Sequence, residues 1–262
     1  MSPSTALIGA VCIVVFAKTI AWLLQLRTRN AGIVDAIWSW SLGGLAVWFA
    51  ATGAGDPTTR AITGLLGGLW GLRLGWHLWV RNWGAPEDWR YAGFRARWGA
   101  KADRNMWFFF QFQNIFTLIL AASAFWVPAA TGVALPPMAI AVAVLIWAGS
   151  VFGEAIADRQ LEDFRQDPAN RGQVCDRGLW GWSRHPNYFF ETLHWLAYVP
   201  LAWGSDLLPL TLIAPAVMAF LLLKMSGLPI LEAGLIERKP GYAAYMARTS
   251  AFIPLPPRRN PS

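Results

Sequence analysis

Seven stretches of this chain are apolar over a length that approaches the thickness of a bilayer, at about 5–24, 33–51, 61–80, 107–127, 137–156, 188–203 and 207–225. Roughly 20 helical residues cross the hydrocarbon core. Inside it, a helix is one of the few structures that satisfies all its backbone polar groups. The expected fold is therefore an all-α integral membrane protein of seven transmembrane helices, forming a single domain over residues 1–262. The sixth stretch is short and polar at its start, which suits a helix partly sunk between neighbours. Composition agrees: 55% of the residues are hydrophobic and 14% charged, where soluble domains carry about a quarter charged. The 17 Trp suit membrane interfaces, and also flat apolar ligands.

The basic residues give the chain a direction. Arg27 and Arg29 follow the first stretch. Arg81, Arg90, Arg95, Arg97, Lys101 and Arg104 follow the third. Arg159, Arg165, Arg171, Arg177 and Arg184 follow the fifth, and Lys224, Arg238, Lys239, Arg248, Arg258 and Arg259 follow the seventh. These are nineteen of the 22 Lys and Arg, and all lie on one side of a seven-span arrangement; the opposite loops hold Arg60. The positive-inside rule then places the N-terminus outside and the C-terminus in the cytosol. The same distribution accounts for the net charge of +7 without a nucleic-acid partner. Cys12 and Cys175 fall in different regions and suggest no disulfide. The N-terminus lacks the basic region of a cleaved signal peptide. The Pro-rich end from Ile253 to Ser262 reads as a loose tail.

Four groups of polar residues sit at or inside the cytosolic ends of the spans. The most telling is Ser183-Arg184-His185-Pro186-Asn187-Tyr188, with Glu191 and Trp195 following. Polar groups at the mouth of an apolar helix are costly unless something binds them. Pro186 suits a first helical turn, and a helix starting there puts Asn187, Glu191 and Trp195 on one face. A helix N-terminus flanked by arginines is ready to hold phosphate or carboxylate. The second group, Arg73, His77 and Arg81, recurs every four residues. A guanidinium as deep as Arg73 needs an anion or a water-filled cavity. The third, Glu154, Asp158 and Arg165, shares a face where the fifth span leaves the membrane, as a site or as an interfacial helix with salt bridges. The fourth is Asp35, either a helix-start carboxylate satisfied by the dipole or a proton donor. The loop Glu87-Asp88-Trp89-Arg90-Tyr91 can fold back over such a site, although Glu87 reads equally well as solvated.

Several signals are missing. There is no Gly-x-Gly-x-x-Gly fingerprint or Walker loop, no Ser-centred nucleophile elbow and no ligand spacing among the three His and two Cys, so no metal is expected. An inventory of arginines, carboxylates and amides is equipment for binding an anionic cofactor that supplies the chemistry.

The run from Asp158 to Arg165, then Gly178-Leu179-Trp180 and Ser183 to Tyr188 with Glu191, resembles the C-terminal signature of the steroid 5-alpha-reductase family, most closely its bacterial branch. Glu232, Tyr242, Tyr245 and Ile253-Pro254 also fit. Weaker similarity through Asp35 and Arg73–Tyr91 extends it over most of the chain. The resemblance implies a seven-helix, NADPH-dependent reductase of the bacterial inner membrane, with its cofactor site facing the cytosol. It would reduce the C4=C5 bond of a 3-oxo-Δ4 steroid or a similar hydrophobic enone. The N-terminal half would form the substrate pocket, and about 107–255 would mainly bind NADPH. Asp158, Arg165, Arg184, His185, Asn187, Tyr188, Glu191 and Trp195 would line the cofactor, with Arg73, His77 and Arg81 helping. Trp38 and Trp70 would contact substrate. The family's vertebrate members carry a Gln-Glu pair where this chain has Val34-Asp35, and a Tyr where it has Trp70. Trp70 cannot supply a phenol proton, so the acid falls to Asp35, with Tyr91 reaching in from its loop.

An alternative is an S-adenosylmethionine-dependent methyltransferase of the isoprenylcysteine or phospholipid type, which also carries an Arg-His-Pro-x-Tyr run and a following Glu. That cofactor has no phosphate and needs few arginines. The Asp158 and Arg165 pair, the Gly-Leu-Trp opening and seven spans favour the reductase.

Overall fold

The computed structural model describes residues 1–225 and 227–258. Among them there are twelve α-helices and no strand; a single β-bridge joins Ser183 to Ser250. The helices are α1 (Pro3–Thr28), α2 (Ile33–Thr52), α3 (Pro57–Asn82), α4 (Trp89–Trp98), α5 (Ala102–Ala121), α6 (Val127–Ala130), α7 (Pro137–Gln166), α8 (Pro186–Leu196), α9 (Leu208–Thr211), α10 (Ile213–Phe220), α11 (Leu228–Arg238) and α12 (Tyr242–Arg248). Five helical runs among the described residues are long and apolar enough to cross a membrane: Pro3–Thr28, Ile33–Thr52, Trp89–Ala130, Pro137–Gln166 and Leu208–Arg238. This is a helical membrane protein. Two of the expected spans differ from these five. The stretch at 61–80 becomes α3, which has 26 residues but carries Arg60, Arg73 and Arg81. The stretch at 188–203 becomes α8, which has 11 residues and is too short to cross alone.

The chain packs as two compact units: Met1–Ala139 with Leu201–Ala214, and Ile140–Pro200 with the chain from Pro215 onward. In the first unit α2 and α3 lie in close contact because glycine removes the side chains between them. A Cβ on Gly71 would lie 2.6 Å from the Cα of Gly43 and 2.7 Å from the Ser39 carbonyl oxygen. A Cβ on Gly67 would lie 2.4 Å from that of Ala46, and one on Gly75 would strike the Trp40 indole. Apolar side chains gain little by leaving lipid for another helix, so close backbone approach of small residues does much of the holding. α1 packs on α2 and α5 through Ala6, Ala10, Val14, Lys18, Ala21 and Gln25, which form its buried stripe. α1 and α3 start on recognisable caps. The Ser2 hydroxyl accepts from Thr5 N, and the Asp56 carboxylate accepts from Thr59 N at 2.8 Å, with Pro3 and Pro57 just inside. A π turn at Ala122–Trp126 joins α5 to α6, immediately before Pro128 removes a backbone donor.

In the second unit, Gly153 of α7 meets the Phe190 ring of α8; a Cβ there would lie 2.4 Å from Phe190 Cε1. The turn Gly178–Gly181 docks on α7. Trp180 Nε1 donates to the Ala157 carbonyl at 2.9 Å, and Leu179 N donates to Gln160 Oε1 at 2.9 Å. The C-terminal segment is not the loose tail expected from Ile253. Leu255 N donates to Trp182 O at 3.0 Å, and Arg258 N donates to Arg248 O at 2.8 Å. These bonds run to residues far back in the chain, so proline content alone gives no sign of them. Arg259 to Ser262 lie outside the described residues.

The glycine contact yields a direct test. Gly71→Val should lower the thermal midpoint of the purified protein, with a loss of about 1–3 kcal/mol as for overpacking of a filled interior. Gly44→Ala, where the added Cβ meets nothing within 4 Å, should leave the midpoint unchanged.

Candidate functional sites

In the first unit, Asp35 stands in the first turn of α2 and Tyr91 in the first turn of α4. The Tyr91 hydroxyl donates to Asp35 Oδ1 at 2.8 Å. Tyr91 is therefore a helical residue buried against Ile33, Val34, Ile37, Met106 and Phe110, not a loop residue reaching in. Its direction comes from the helix start. The Asp88 carboxylate caps α4 by accepting from Arg90 N at 2.9 Å and also holds the Arg90 side chain, Nε at 2.9 Å and Nη2 at 3.2 Å. This leaves the guanidinium 5.7 Å from the Tyr91 ring centre and 4.0 Å from Asp35 Oδ2. Burial pushes the Asp88 carboxyl up, but hydrogen bonds and charge from Arg90, with Arg81 adding to them, hold it below the ordinary carboxylate value.

A polar latch fixes the segment before α4. Glu87, which reads as solvated in sequence, has 11% of its side chain exposed. It accepts from Ala31 N at 2.9 Å and from Nε and Nη2 of Arg95 at 3.0 and 2.8 Å. Arg95 also donates to Gln25 Oε1 at 2.9 Å and to Asp103 Oδ1 at 3.0 Å. Asn30 Nδ2 donates to the carbonyls of Asn82 and Ala85, and Asn82 Nδ2 donates to Gly32 O at 3.1 Å. The turn between α1 and α2 is thereby tied to the end of α3 and the start of α4, which is why Asp35 and Tyr91 meet. Nothing in sequence spacing points to Asn30, Asn82 or Arg95, because their partners are remote in the chain.

Trp38 and Trp70 pack edge to face, with ring centres 6.2 Å apart, and Trp70 is fully buried. Arg73 and His77 are half-buried on α3, and Arg81 is exposed near its end.

In the second unit, Pro186 opens α8. Asn187 Nδ2 lies 3.4 Å from Asp158 Oδ1 of α7. Trp195 Nε1 donates to Glu191 Oε1 at 3.1 Å, and both residues are buried, as is Glu154 of α7. A strip of carboxylate, amide and indole groups thus runs along α7 and α8, and Arg165 is exposed at the end of α7. His194 Nε2 and the Tyr198 hydroxyl, 3.1 Å apart, add a buried pair that the reading of one face from Asn187 to Trp195 passes over.

Arg184 and His185 have protein partners. Arg184 Nε donates to Glu232 Oε1 at 2.7 Å and Nη2 to Glu232 Oε2 at 3.2 Å. Its Nη1 donates to the carbonyls of Met246 and Thr249 at 3.1 and 2.7 Å. His185 Nε2 is 3.0 Å from Glu232 Oε1, and its ring stacks on Tyr188 with centres 5.4 Å apart. In this arrangement the two residues anchor the start of α8 to α11 and to the segment after α12. Tyr245 adds to the anchor by donating to the carbonyls of Trp180 and Ser183. Burial pushes its phenol well up, so it remains a donor.

The sequence pattern of DUF1295, a family of proteins of unknown function, matches residues 21–249. The chain belongs to that family. Neither a curated protein nor a solved structure matches it. The matched region includes Asp35, Tyr91, the strip on α7 and α8, and Glu232. Among the described residues, no group of three or more His, Cys, Asp or Glu could hold a metal ion.

The anchor has a measurable signature. Glu232→Gln, which leaves the nearly buried Arg184 without its counter-charge, should destabilise the fold by about 3–5 kcal/mol. Combining Arg184→Met with Glu232→Leu should recover much of that loss in a thermal melt.

Proposed function

We propose that the chain is a membrane-embedded, NADPH-dependent reductase of hydrophobic enones, of the steroid 5-alpha-reductase type. The observation that carries this reading is the 2.8 Å hydrogen bond between Tyr91 and Asp35. A carboxyl in direct contact with a phenol, the phenol packed among apolar side chains and the carboxyl partly open, forms a proton-donating pair. With Asp35 ionised, Tyr91 donates to it. With Asp35 protonated the contact reverses: the carboxyl donates to Tyr91 Oη, and the phenol O–H is released toward a substrate carbonyl. A donor aimed at an oxygen that gains negative charge stabilises the transition state, usually the largest catalytic term. Trp38, packed edge to face on the fully buried Trp70, offers flat apolar surface suited to a rigid hydrophobic ring system.

The groups along α7 and α8 fit a nicotinamide dinucleotide by their chemistry. Asp158, Glu191 and Glu154 are acceptors for ribose hydroxyls, Asn187 is an amide matched to a carboxamide, and the fully buried Trp195 holds Glu191 through its indole N–H. Arg165 supplies positive charge for phosphates, including the 2′-phosphate that distinguishes NADPH from NADH; in the first unit Arg73, His77 and Arg81 of α3 have the same chemistry. Arg184 and His185 act in this reading by holding the start of α8 in place. Bound NADPH would supply the hydride to the β-carbon of the enone. The N-terminal half then serves substrate, and about 107–255 serves mainly the cofactor. Seven crossings, with the N-terminus outside, the C-terminus in the cytosol and a cytosol-facing cofactor site, is the topology that the one-sided basic residues support. A bacterial inner membrane follows from the resemblance.

Thermal shift in detergent tests the cofactor directly. NADPH should raise the midpoint and NADH much less, because a ligand of the native state stabilises it; a rise with S-adenosylmethionine alone would overturn the reading. Asp35→Asn and Tyr91→Phe should each reduce NADPH-dependent turnover of progesterone by about 10²-fold while preserving the NADPH shift. Loss of both turnover and shift would assign the pair a structural role.

A further inference from the structure

The junction of α1, α2 and α5 contains a charge that the reaction above leaves unused. Lys18 lies on the inward stripe of α1 and is fully buried. It stands ten residues before Thr28, about 15 Å along the helix, which is half the thickness of a bilayer core. Its ammonium donates to Gln113 Oε1 of α5 at 2.9 Å, and this is its one hydrogen bond among the described residues. An ammonium has three donors, and this partner is a neutral amide. A cation at that depth is expensive and marks function by default. From α2, Asp35 is the charged group that acts on it. The acid of α5, Asp103, is engaged by Arg29 and Arg95 near the helix start. Three further buried polar atoms in this unit lack a hydrogen-bond partner: Gln25 Nε2 on the Lys18 face of α1, Trp40 Nε1 on α2 and Asn114 Oδ1 on α5. Buried polar atoms of this kind are the usual partners of ordered water. Lys18 also precedes the residues matched to the family, so the inference concerns this chain's own sequence.

We propose that Lys18 is the proton-supply residue for the Asp35–Tyr91 pair, connected to it through a hydrated polar seam between α1, α2 and α5. The role rests on the reductase reading. Reduction of an enone by NADPH consumes one proton for each hydride. The Lys18 ammonium gives a proton to the Asp35 carboxylate through water. Asp35 then donates to Tyr91 Oη as the phenol proton passes to the substrate oxygen. The resulting enol becomes the saturated ketone by moving that proton to its α-carbon. The Lys18 amine regains a proton from the cytosol past Gln25, whose Oε1 already accepts from Arg95 in the latch. Lys18 acts through Asp35 and Tyr91 and does not touch substrate.

The experiment is steady-state NADPH oxidation by the purified full chain with progesterone, from pH 5.5 to 9, for wild type, K18M, K18Q and K18R. Wild-type kcat should fall as pH rises and Lys18 loses its proton. K18M should lower kcat at neutral pH on the order of tenfold or more, flatten the profile and keep the NADPH thermal shift. K18R keeps the charge but holds its proton, so it should remain as slow as K18M. K18Q keeps a donor for Gln113 and should behave like K18M, which preserves the test if K18M does not fold. Wild-type kcat and pH profile in K18M or K18Q would overturn the role. A loss in K18M and K18Q that keeps the wild-type pH dependence, or wild-type turnover in K18R, would overturn it too: the first shows a structural contribution, the second that a fixed charge suffices. Absence of NADPH-dependent turnover in the wild type would overturn the reductase reading itself, and Lys18's role with it.

Discussion

An ionisable side chain inside an apolar helix bundle must find a partner, because hydrocarbon offers none. That constraint organises the polar residues of this protein. Asp35 is met by Tyr91 and approached by Arg90. Glu87 is enclosed by Arg95 and the Ala31 amide. Glu232 is clasped by Arg184 and His185. In each case the partner comes from a different helix or from the turn beside one, so pairing charges also fixes where helices begin and how their first turns face. A buried pair of this kind adds little net stability over an apolar one. Removing one member is the costly change, since it strands the other as an unpaired charge.

The second requirement is proximity, and glycine supplies it. Gly43 and Gly71 let two backbones touch at the crossing of α2 and α3. The same crossing brings Trp38 against Trp70. Gly153 does the equivalent for α7 and α8 by admitting the Phe190 ring, and Asn187 and Asp158 stand near each other along that pair. The α7–α8 strip therefore lies on a helix pair drawn close by a missing side chain, whereas Asp35 on α2 meets Tyr91 from α4 through the polar network beside that crossing. Their chemistry differs: a carboxyl–phenol pair in one unit, and a strip of carboxylate, amide and indole groups in the other.

Much of this arrangement was legible in the residue string, because the bilayer imposes length and polarity on each segment separately. The apolar runs marked the long helices, and Pro186 marked the start of α8. The chemistry of Asp35, Tyr91, Asn187 and Glu191 drew attention to them before any packing was known. Other features were not legible. α8 ends at Leu196, well before the apolar run does, because apolarity does not distinguish a helix from the turn that follows it. Arg184 looked like a phosphate ligand because a guanidinium fits either anion, and only packing shows that Glu232 and two carbonyls already surround it. Asn30, Asn82 and Arg95 carry no local signature, since each acts on a partner remote in the chain. The segment through Arg258 looked loose because backbone hydrogen bonds to Trp182 and Arg248 leave no trace in side-chain identity.

What the sequence alone determined is the solvent and the menu. Apolar length requires helices in a membrane, and the side chains available set which acids, bases, amides and aromatic rings can meet. What only the tertiary structure decided is which of those groups meet. The Tyr91 hydroxyl could have faced solvent or lipid from the same sequence. It faces Asp35 because Asp88 caps α4, Glu87 and Asn30 tie that cap to the turn before α2, and Arg95 closes the network. Pairing depends on distance across helices, a property of the packed chain that no single segment encodes.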